Sequence, residues 1–359
     1  MANMNDLLTL MVQSKASDLH LTVGSPPAIR VDGSLVLTSM EKLSGETSQR
    51  LVYSLLSDTQ KQRFETESEL DMSFGIKGVG RVRMNVYRQR GSVGAVLRSV
   101  PTEFMSFDEL GLPPGVGEVA NLNQGLVLVT GPTGSGKSTT LASLINYINE
   151  NRPMHIVTVE DPIEYVHYHK KSIVNQREVG GDTPSFNSAL KYVLRQDPDV
   201  ILVGEMRDPE TVAAAITIAD TGHLVFSTLH TNDAPSSINR ILDSFPSDRQ
   251  NQVRSQLSLT LQAIISQRLL LNASGSGRVL SLEFLRVTPA VRNLIREQKT
   301  EQIYTIMQTG AKHGMQTMNQ SLYSLVVNNK ITFQEALDAS PDPEEIRRQM
   351  PKNVSGDYR

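Results

Sequence analysis

The sequence predicts an α/β protein: a parallel sheet flanked by crossover helices, preceded by a smaller α+β domain and followed by a helical portion. Three observations predict it. Residues 126–129 form an uninterrupted apolar run suited to a buried strand, and the glycine-rich loop GPTGSGKS at 131–138 leads from it into a stretch of helix formers. From residue 125 onward, strand-like runs at 126–130, 155–160, 199–204 and 224–229 alternate with helical periodicity at 137–149, 185–196 and 209–220. The first hundred residues lack that alternation and mix short strands with short helices.

Taken in order, residues 4–15 carry Leu7, Leu8, Met11 and Val12 at helical spacing. Residues 17–22 alternate as a strand, Pro26-Pro27 interrupts, and 29–37 reads as a hairpin turning at Asp32-Gly33. Helices are expected around 47–56 and 59–65, then strands at 70–74, 81–88 and 93–100. The Pro- and Gly-rich stretch near 104–117 reads as a linker. Beyond the alternating region, the apolar-periodic run 249–271, closed by Asn272 and SGSG, is predicted to be one long helix. Further helices are expected at 288–297, 302–308, 318–327 and 332–339, and the polar end from PDPEE to PKNVSGDYR is expected to fray. The resulting division is an N-terminal domain at 1–102, a linker at 103–117, a core at 118–285, a helical portion at 286–345 and a flexible tail at 346–359.

Composition narrows the function. The chain has 359 residues, no cysteine and a formal net charge of −3, so disulfides and thiolate metal sites are excluded and nothing draws the molecule toward nucleic acid. No apolar run approaches the roughly 18 residues of a membrane span. The N-terminus lacks a basic start and a small-residue cleavage site, so a cytoplasmic protein is expected, reaching a membrane only through a partner.

The strand, glycine-rich loop and helix at 125–140 are the order a phosphate-binding P-loop needs. Glycines let successive N–H groups turn inward at a helix N-terminus and form an anion site. Gly131, Pro132, Thr133, Gly134, Ser135, Gly136, Lys137, Ser138 and Thr139 are therefore the predicted nucleoside triphosphate contacts. Lys137 would reach the β- and γ-phosphates, and the Ser138 hydroxyl would ligate Mg²⁺. The strand before 161 ends in Glu160-Asp161-Pro162-Ile163-Glu164, three carboxylates expected at the edge of a strand beside the P-loop strand. There they could meet Mg²⁺, its waters or an attacking water, Glu160 through a metal-bound water; solvated loop acids are the plainer alternative. The apolar strand Asp199-Val200-Ile201-Leu202-Val203 ends in Gly204-Glu205. Gly204 stands where an aspartate commonly binds Mg²⁺, which leaves Glu205 as the candidate to polarise the hydrolytic water. His223 and His230 bracket the strand TGHLVFSTLH. A lone histidine there is commonly structural, but His230 lies at the end where such sheets bind ligands and could sense the γ-phosphate. Arg81, Arg83, Arg88, Arg90 and Arg98 read mostly as a solvated face, with one or two able to act as arginine fingers; Arg195 and Arg207 are further candidates.

Together these motifs resemble the secretion ATPase superfamily, the motors of type II and type IV secretion and of type IV pili. GPTGSGKS is similar to its Walker A, VEDPIEYVH to its Asp box, LRQDPDVILVGEMRD to its atypical Walker B and TGHLVFSTLHTNDA to its His box. Within the superfamily, SDLHLT, PPAIRVDG, NQREVG, GMQTMNQSL and above all AVRNLIREQK at 290–299 are similar to the pilus-retraction motors. Val291 departs from the isoleucine usual there. The resemblance implies a PAS-like N-terminal domain, a RecA-like core, a homo-hexamer, ATP with Mg²⁺, and an inner-membrane pilus platform protein as partner. It carries Lys137 and Ser138 over as nucleotide and Mg²⁺ contacts, Glu205 as catalytic base, Glu164 as a catalytic-site acid, His230 as phosphate sensor, and Arg83 and Arg98 as the arginine pair. Extension motors usually add a long N-terminal region and a four-cysteine zinc site, and this chain has neither. The function expected is ATP-driven pilus retraction. The rivals are an accessory retraction motor with the same chemistry and a RecA-like nucleic-acid translocase, against which the acidic balance counts.

Overall fold

The computed structural model describes residues 3–76 and 80–350. The chain divides into two compact units: the residues up to Thr102 with Glu164–Val166, and Glu103–Ile163 with the residues from His167 onward.

In the first unit, α1 (Met4–Gln13), β1 (Asp18–Leu21), β2 (Ala28–Val31) and β3 (Ser34–Leu37) lead to α2 (Gly45–Tyr53) and α3 (Asp58–Glu67), then to β4 (Glu69–Ile76), β5 (Gly80–Gln89) and β6 (Ser92–Ser99). The strands form an antiparallel sheet in the order β3-β2-β1-β6-β5-β4. Asp32 and Gly33 both take positive φ, 48° and 80°, the pairing that turns a two-residue hairpin between β2 and β3. Period-two alternation buries Val82, Met84 and Val86 of β5 together with Leu7, Leu8 and Met11 of α1 and Phe64 of α3.

The second unit begins with two short helices, α4 (Phe107–Leu110) and α5 (Pro114–Gly117), then β7 (Gly125–Thr130), α6 (Lys137–Asn151), β8 (His155–Glu160) and β9 (Ile173–Glu178). There follow α7 (Phe186–Val193), β10 (Val200–Val203), α8 (Pro209–Asp220), β11 (Leu224–Leu229), α9 (Ala234–Asp243), α10 (Ser247–Thr260), β12 (Leu261–Leu271) and β13 (Arg278–Arg286). Helices α11 (Pro289–Arg296), α12 (Ile303–Thr309), α13 (Met318–Val327), α14 (Phe333–Ala339) and α15 (Pro343–Gln349) close the unit. Its sheet runs β13-β12-β7-β11-β10-β8-β9, parallel except where β13 pairs antiparallel with β12. Strands β7, β10 and β11 are buried at every position, the composition a parallel strand covered on both faces requires.

Four expectations need correction. The run 249–271 is not one helix: α10 ends at Thr260, and the next residues form β12, wedged between β7 and β13. Its Leu-Gln-Ala-Ile-Ile-Ser segment satisfies either periodicity, and sheet pairing decides it. Strands β9 and β13 carry no predicted counterpart; β13 lies where the SGSG turn returns the chain beside β12. The chain does not fray from Pro341: α15 buries Ile346, and its Glu345 accepts hydrogen bonds from Tyr304 Oη at 2.5 Å and Gln308 Nε2 at 2.9 Å. The rest of the predicted tail, 351–359, lies outside the described residues. The stretch read as a linker folds as α4 and α5 and packs Leu112 and Val116 among the residues of β7 and α6.

Candidate nucleotide-binding site

Strand β7 carries the chain to Gly131, and α6 begins at Lys137. Gly131 has φ of 140°, and a Cβ there would lie 2.4 Å from the Gln267 carbonyl oxygen and 2.6 Å from Ser135 Oγ. Only glycine lets the loop close over β12 in this way. The N-cap of α6 is Gly136, which supplies no side-chain acceptor, so the first N–H groups of a 15-residue helix face outward with the positive end of its dipole. Lys137 Nζ bridges back to the carbonyls of Gly131 at 2.7 Å and Pro132 at 3.0 Å, which pins the ammonium over the loop. Ser135 Oγ is buried and finds no hydrogen-bond partner among the described residues. A concave run of donors, a fixed cation and an orphaned buried hydroxyl fit a polyphosphate chain. Ser138, one residue into α6, is placed to offer its hydroxyl to a cation on that chain.

The C-terminal ends of β7, β11, β10 and β8 lie side by side. At this edge β11 delivers His230 and β10 delivers Glu205, and the two join: His230 Nε2 stands 3.1 Å from Glu205 Oε1. Arg207 holds the other oxygen, with Nε 2.8 Å from Glu205 Oε2. The loop after β10 is anchored by Thr228 Oγ1, which donates to the Gly204 carbonyl at 2.7 Å. Glu160, at the end of β8, is buried and accepts from Thr158 Oγ1 at 2.6 Å and Gln176 Nε2 at 3.2 Å. Gly204 has a physical reason in this setting. A Cβ there would sit 3.3 Å from both Glu160 Cα and the Val159 carbonyl, so an aspartate would force β10 from β8.

The Asp-box acids do not lie beside the P-loop strand. Strands β11 and β10 stand between β7 and β8, because the chain crosses over and returns. His223, at the start of β11, turns its Nδ1 to the Ile218 carbonyl at 3.1 Å, a structural contact at the opposite end of the strand. Glu164, Arg83 and Arg98 belong to the first unit. There Arg83 and Arg98 are cross-strand partners on β5 and β6, and Arg98 pairs in turn with Asp18 of β1 and Asp18 with Arg30 of β2. Asp18 is buried and accepts from Arg98 Nε at 2.7 Å. Burial raises its pKa, but hydrogen bonds from Ser17 and Arg98 outweigh that and hold it below the usual value. One buried carboxylate thus serves two guanidinium groups, those of Arg98 and Arg30.

Sequence reasoning missed the β12 contribution. Gln267 Nε2 donates to Thr140 Oγ1 at 2.7 Å, and Thr130 Oγ1 donates to Ser266 Oγ at 2.9 Å, so β12 ties down both ends of the loop. Its polar residues within an apolar run were the available signal. Buried Glu283 of β13 was missed as well; its Oε1 accepts from the Ala234 N–H at the start of α9, 2.8 Å away.

A glycine-cradled anion site on a largely parallel sheet, with acids and a histidine at the carboxyl ends of neighbouring strands, defines a P-loop nucleotide-binding protein. The family described as type II/IV secretion system protein matches residues 2–338, and the chain belongs to it. Among curated relatives it is 47% identical over 342 residues to the type IV pilus retractation ATPase PilT of Pseudomonas aeruginosa, covering 95% of this chain and 99% of that one. It is 41% identical over 341 residues to the type IV pilus ATPase PilU of the same organism, covering 95% of this chain and 89% of that one. A crystal structure of the pilus retraction motor PilT with bound ADP superposes with a TM-score of 0.91 at 54% identity, covering 97% of this chain and all of the other.

Proposed function

We propose that this chain is a motor ATPase of the PilT kind, which hydrolyses ATP to power retraction of a type IV pilus and so supports twitching motility. The observation that carries the reading is the Glu205 carboxylate, held by His230 at 3.1 Å and Arg207 at 2.8 Å on the same sheet edge as the phosphate loop. In this reading the loop N–H groups and Lys137 bind the β- and γ-phosphates, and Glu205 takes the proton of the attacking water. His230 orients that carboxylate and senses the γ-phosphate. Ser138 and, through a water, Glu160 are the residues that would hold Mg²⁺, which would supply positive charge against that developing on the phosphates. Glu164 adds an acid to the site, and Arg83 and Arg98 supply transition-state charge, from the same subunit or a neighbouring one.

The working form is a homo-hexamer that engages an inner-membrane platform protein of the PilC kind, with PilU as a possible companion motor; no nucleic acid takes part. Among the described residues no helix is long and apolar enough to cross a membrane, which suits attachment through that partner. Loss of the γ-phosphate removes the contacts that the loop and Lys137 make to it, and that change is what drives the mechanical step. The accessory reading, as a PilU-like motor, is less favoured, since the identity to PilU is 41% against 47% to PilT. Retraction in a strain lacking its own PilT tests the proposal: this chain restores it, and Lys137→Ala does not. Restoration by Lys137→Ala would overturn the reading.

A further inference from the structure

Glu283 of β13 is buried, with 2% of its surface exposed, and the hydrolytic chemistry makes no use of it. Its carboxylate stands between two helix starts. Oε1 accepts from the N–H of Ala234, the first residue of α9, at 2.8 Å, and the N–H of Met318, the first residue of α13, donates to the same side chain. The α13 side is fastened without it: Phe284 and Gln316 exchange backbone hydrogen bonds at 2.8 and 3.1 Å, and the Leu282 N–H donates to Ser321 Oγ at 3.2 Å. What Glu283 adds is the hold of that frame on α9. The start of α9 is in turn stitched to the residue that follows His230. Asp233 caps the helix by accepting from the Ser236 N–H at 2.7 Å, and Ser237 Oγ donates to the Asp233 carbonyl at 2.6 Å, which leaves it accepting from Thr231 Oγ1 at 2.6 Å. The line of contacts thus runs from β13 through α9 to His230, and from His230 Nε2 to Glu205 Oε1, 3.1 Å away. The carboxyl at its root titrates. Burial pushes it up to about 7, against the pull of the two N–H groups and with Asp233 adding to the rise. Of the elements around it, α9 brings Asp233, α12 brings Tyr304 and, behind that hydroxyl, α15 brings Glu345; α13 carries no charged residue, and the cross-strand neighbour on β12 is Ser266. Ionised, the carboxylate makes charge-assisted bonds to both N–H groups; protonated, it accepts more weakly and brings a donor of its own between them.

We propose that Glu283 is a positioning residue of the ATPase, which seats the start of α9 on β13 and so holds His230 against Glu205. The inference rests on the ATPase reading and deepens it. The test is kcat and KM for ATP of the full chain and of Glu283→Gln from about pH 5.5 to about pH 8.5, with denaturant unfolding over the same range. Both chains carry every other titratable group, so the ratio of their kcat values isolates this carboxyl. Glutamine reproduces the neutral acid in shape and charge. The ratio is therefore expected near unity at the acid end and to rise to roughly tenfold in favour of the parent at the alkaline end, with KM within about twofold. Stability runs the other way: the parent loses stability as pH rises and Glu283 ionises, and the glutamine variant does not. A side chain that only held the fold would move activity and stability together, so opposite trends mark positioning. A kcat ratio independent of pH, or one that follows stability, would overturn the proposal. Should Glu283→Gln not fold, Thr231→Val, which removes the stitch to α9, is read against the parent in the same assay. The same rise is expected, and equal kcat at every pH would sink the proposal. Where the parent turns over ATP and Glu205→Gln does not, yet these ratios stay flat, only this inference falls. A parent without turnover takes the ATPase reading down with it.

Discussion

Glu205 gains its meaning from two neighbours rather than from its own environment. His230 and Arg207 each hold one of its oxygens, so the carboxylate is aimed before any substrate arrives. Glu205→Gln is expected to lower ATP turnover by roughly 10²–10³-fold while leaving nucleotide affinity near that of the parent. Turnover within a few-fold of the parent would remove Glu205 from the chemistry. Gly204 is a second site where one atom matters. Gly204→Asp adds a side chain 3.3 Å from the β8 backbone, and a destabilisation of about 1–3 kcal/mol is expected in urea unfolding. An unchanged midpoint would show that β8 and β10 have slack there.

Strands β12 and β13 hold the far side of the loop, and β13 carries a titratable group. Burial pushes the Glu283 carboxyl up to about 7, with the Ala234 N–H opposing and Asp233 adding to the rise. The folded chain keeps this proton up to about pH 7, whereas the unfolded chain releases it near the ordinary value of 4.5. Folded protein therefore binds more protons between those values, and stability falls as pH rises through the window, by about 3 kcal/mol in full. Glu283→Gln stays neutral and escapes that loss. Its stability relative to the parent is expected to climb from pH 4.5 to 7, as read by denaturant unfolding at several pH values. A difference independent of pH would show that the carboxyl is not buried as described.

For the whole molecule, the question is which residues belong to the engine and which to its coupling. Arg292 lies within AVRNLIREQK, and its Nη1 donates to the Leu259 carbonyl at 2.7 Å, near the end of α10. Replacing it would loosen the junction that starts β12. Asn293 is exposed on α11 and is the cleaner probe. Asn293→Ala is expected to keep ATPase activity near that of the parent and to lose pilus retraction in cells. A parallel collapse of turnover would place α11 in the engine.

Much of the site was legible because its chemistry is local. The phosphate loop needs glycines, a lysine and a helix start in consecutive order, so 131–138 announce themselves, as do the acid after β10 and the histidine after β11. The strands of the first unit and its hairpin at Asp32-Gly33 were legible for the same reason, since alternation and a two-residue turn are short-range signals. The order β7-β11-β10-β8, the strand at Leu261–Leu271 and the bond between His230 and Glu205 were decided only by tertiary structure. A run such as LQAIIS fits helix or strand equally until a neighbouring strand offers hydrogen bonds, and two strand tips separated along the chain meet only when crossover helices place them side by side.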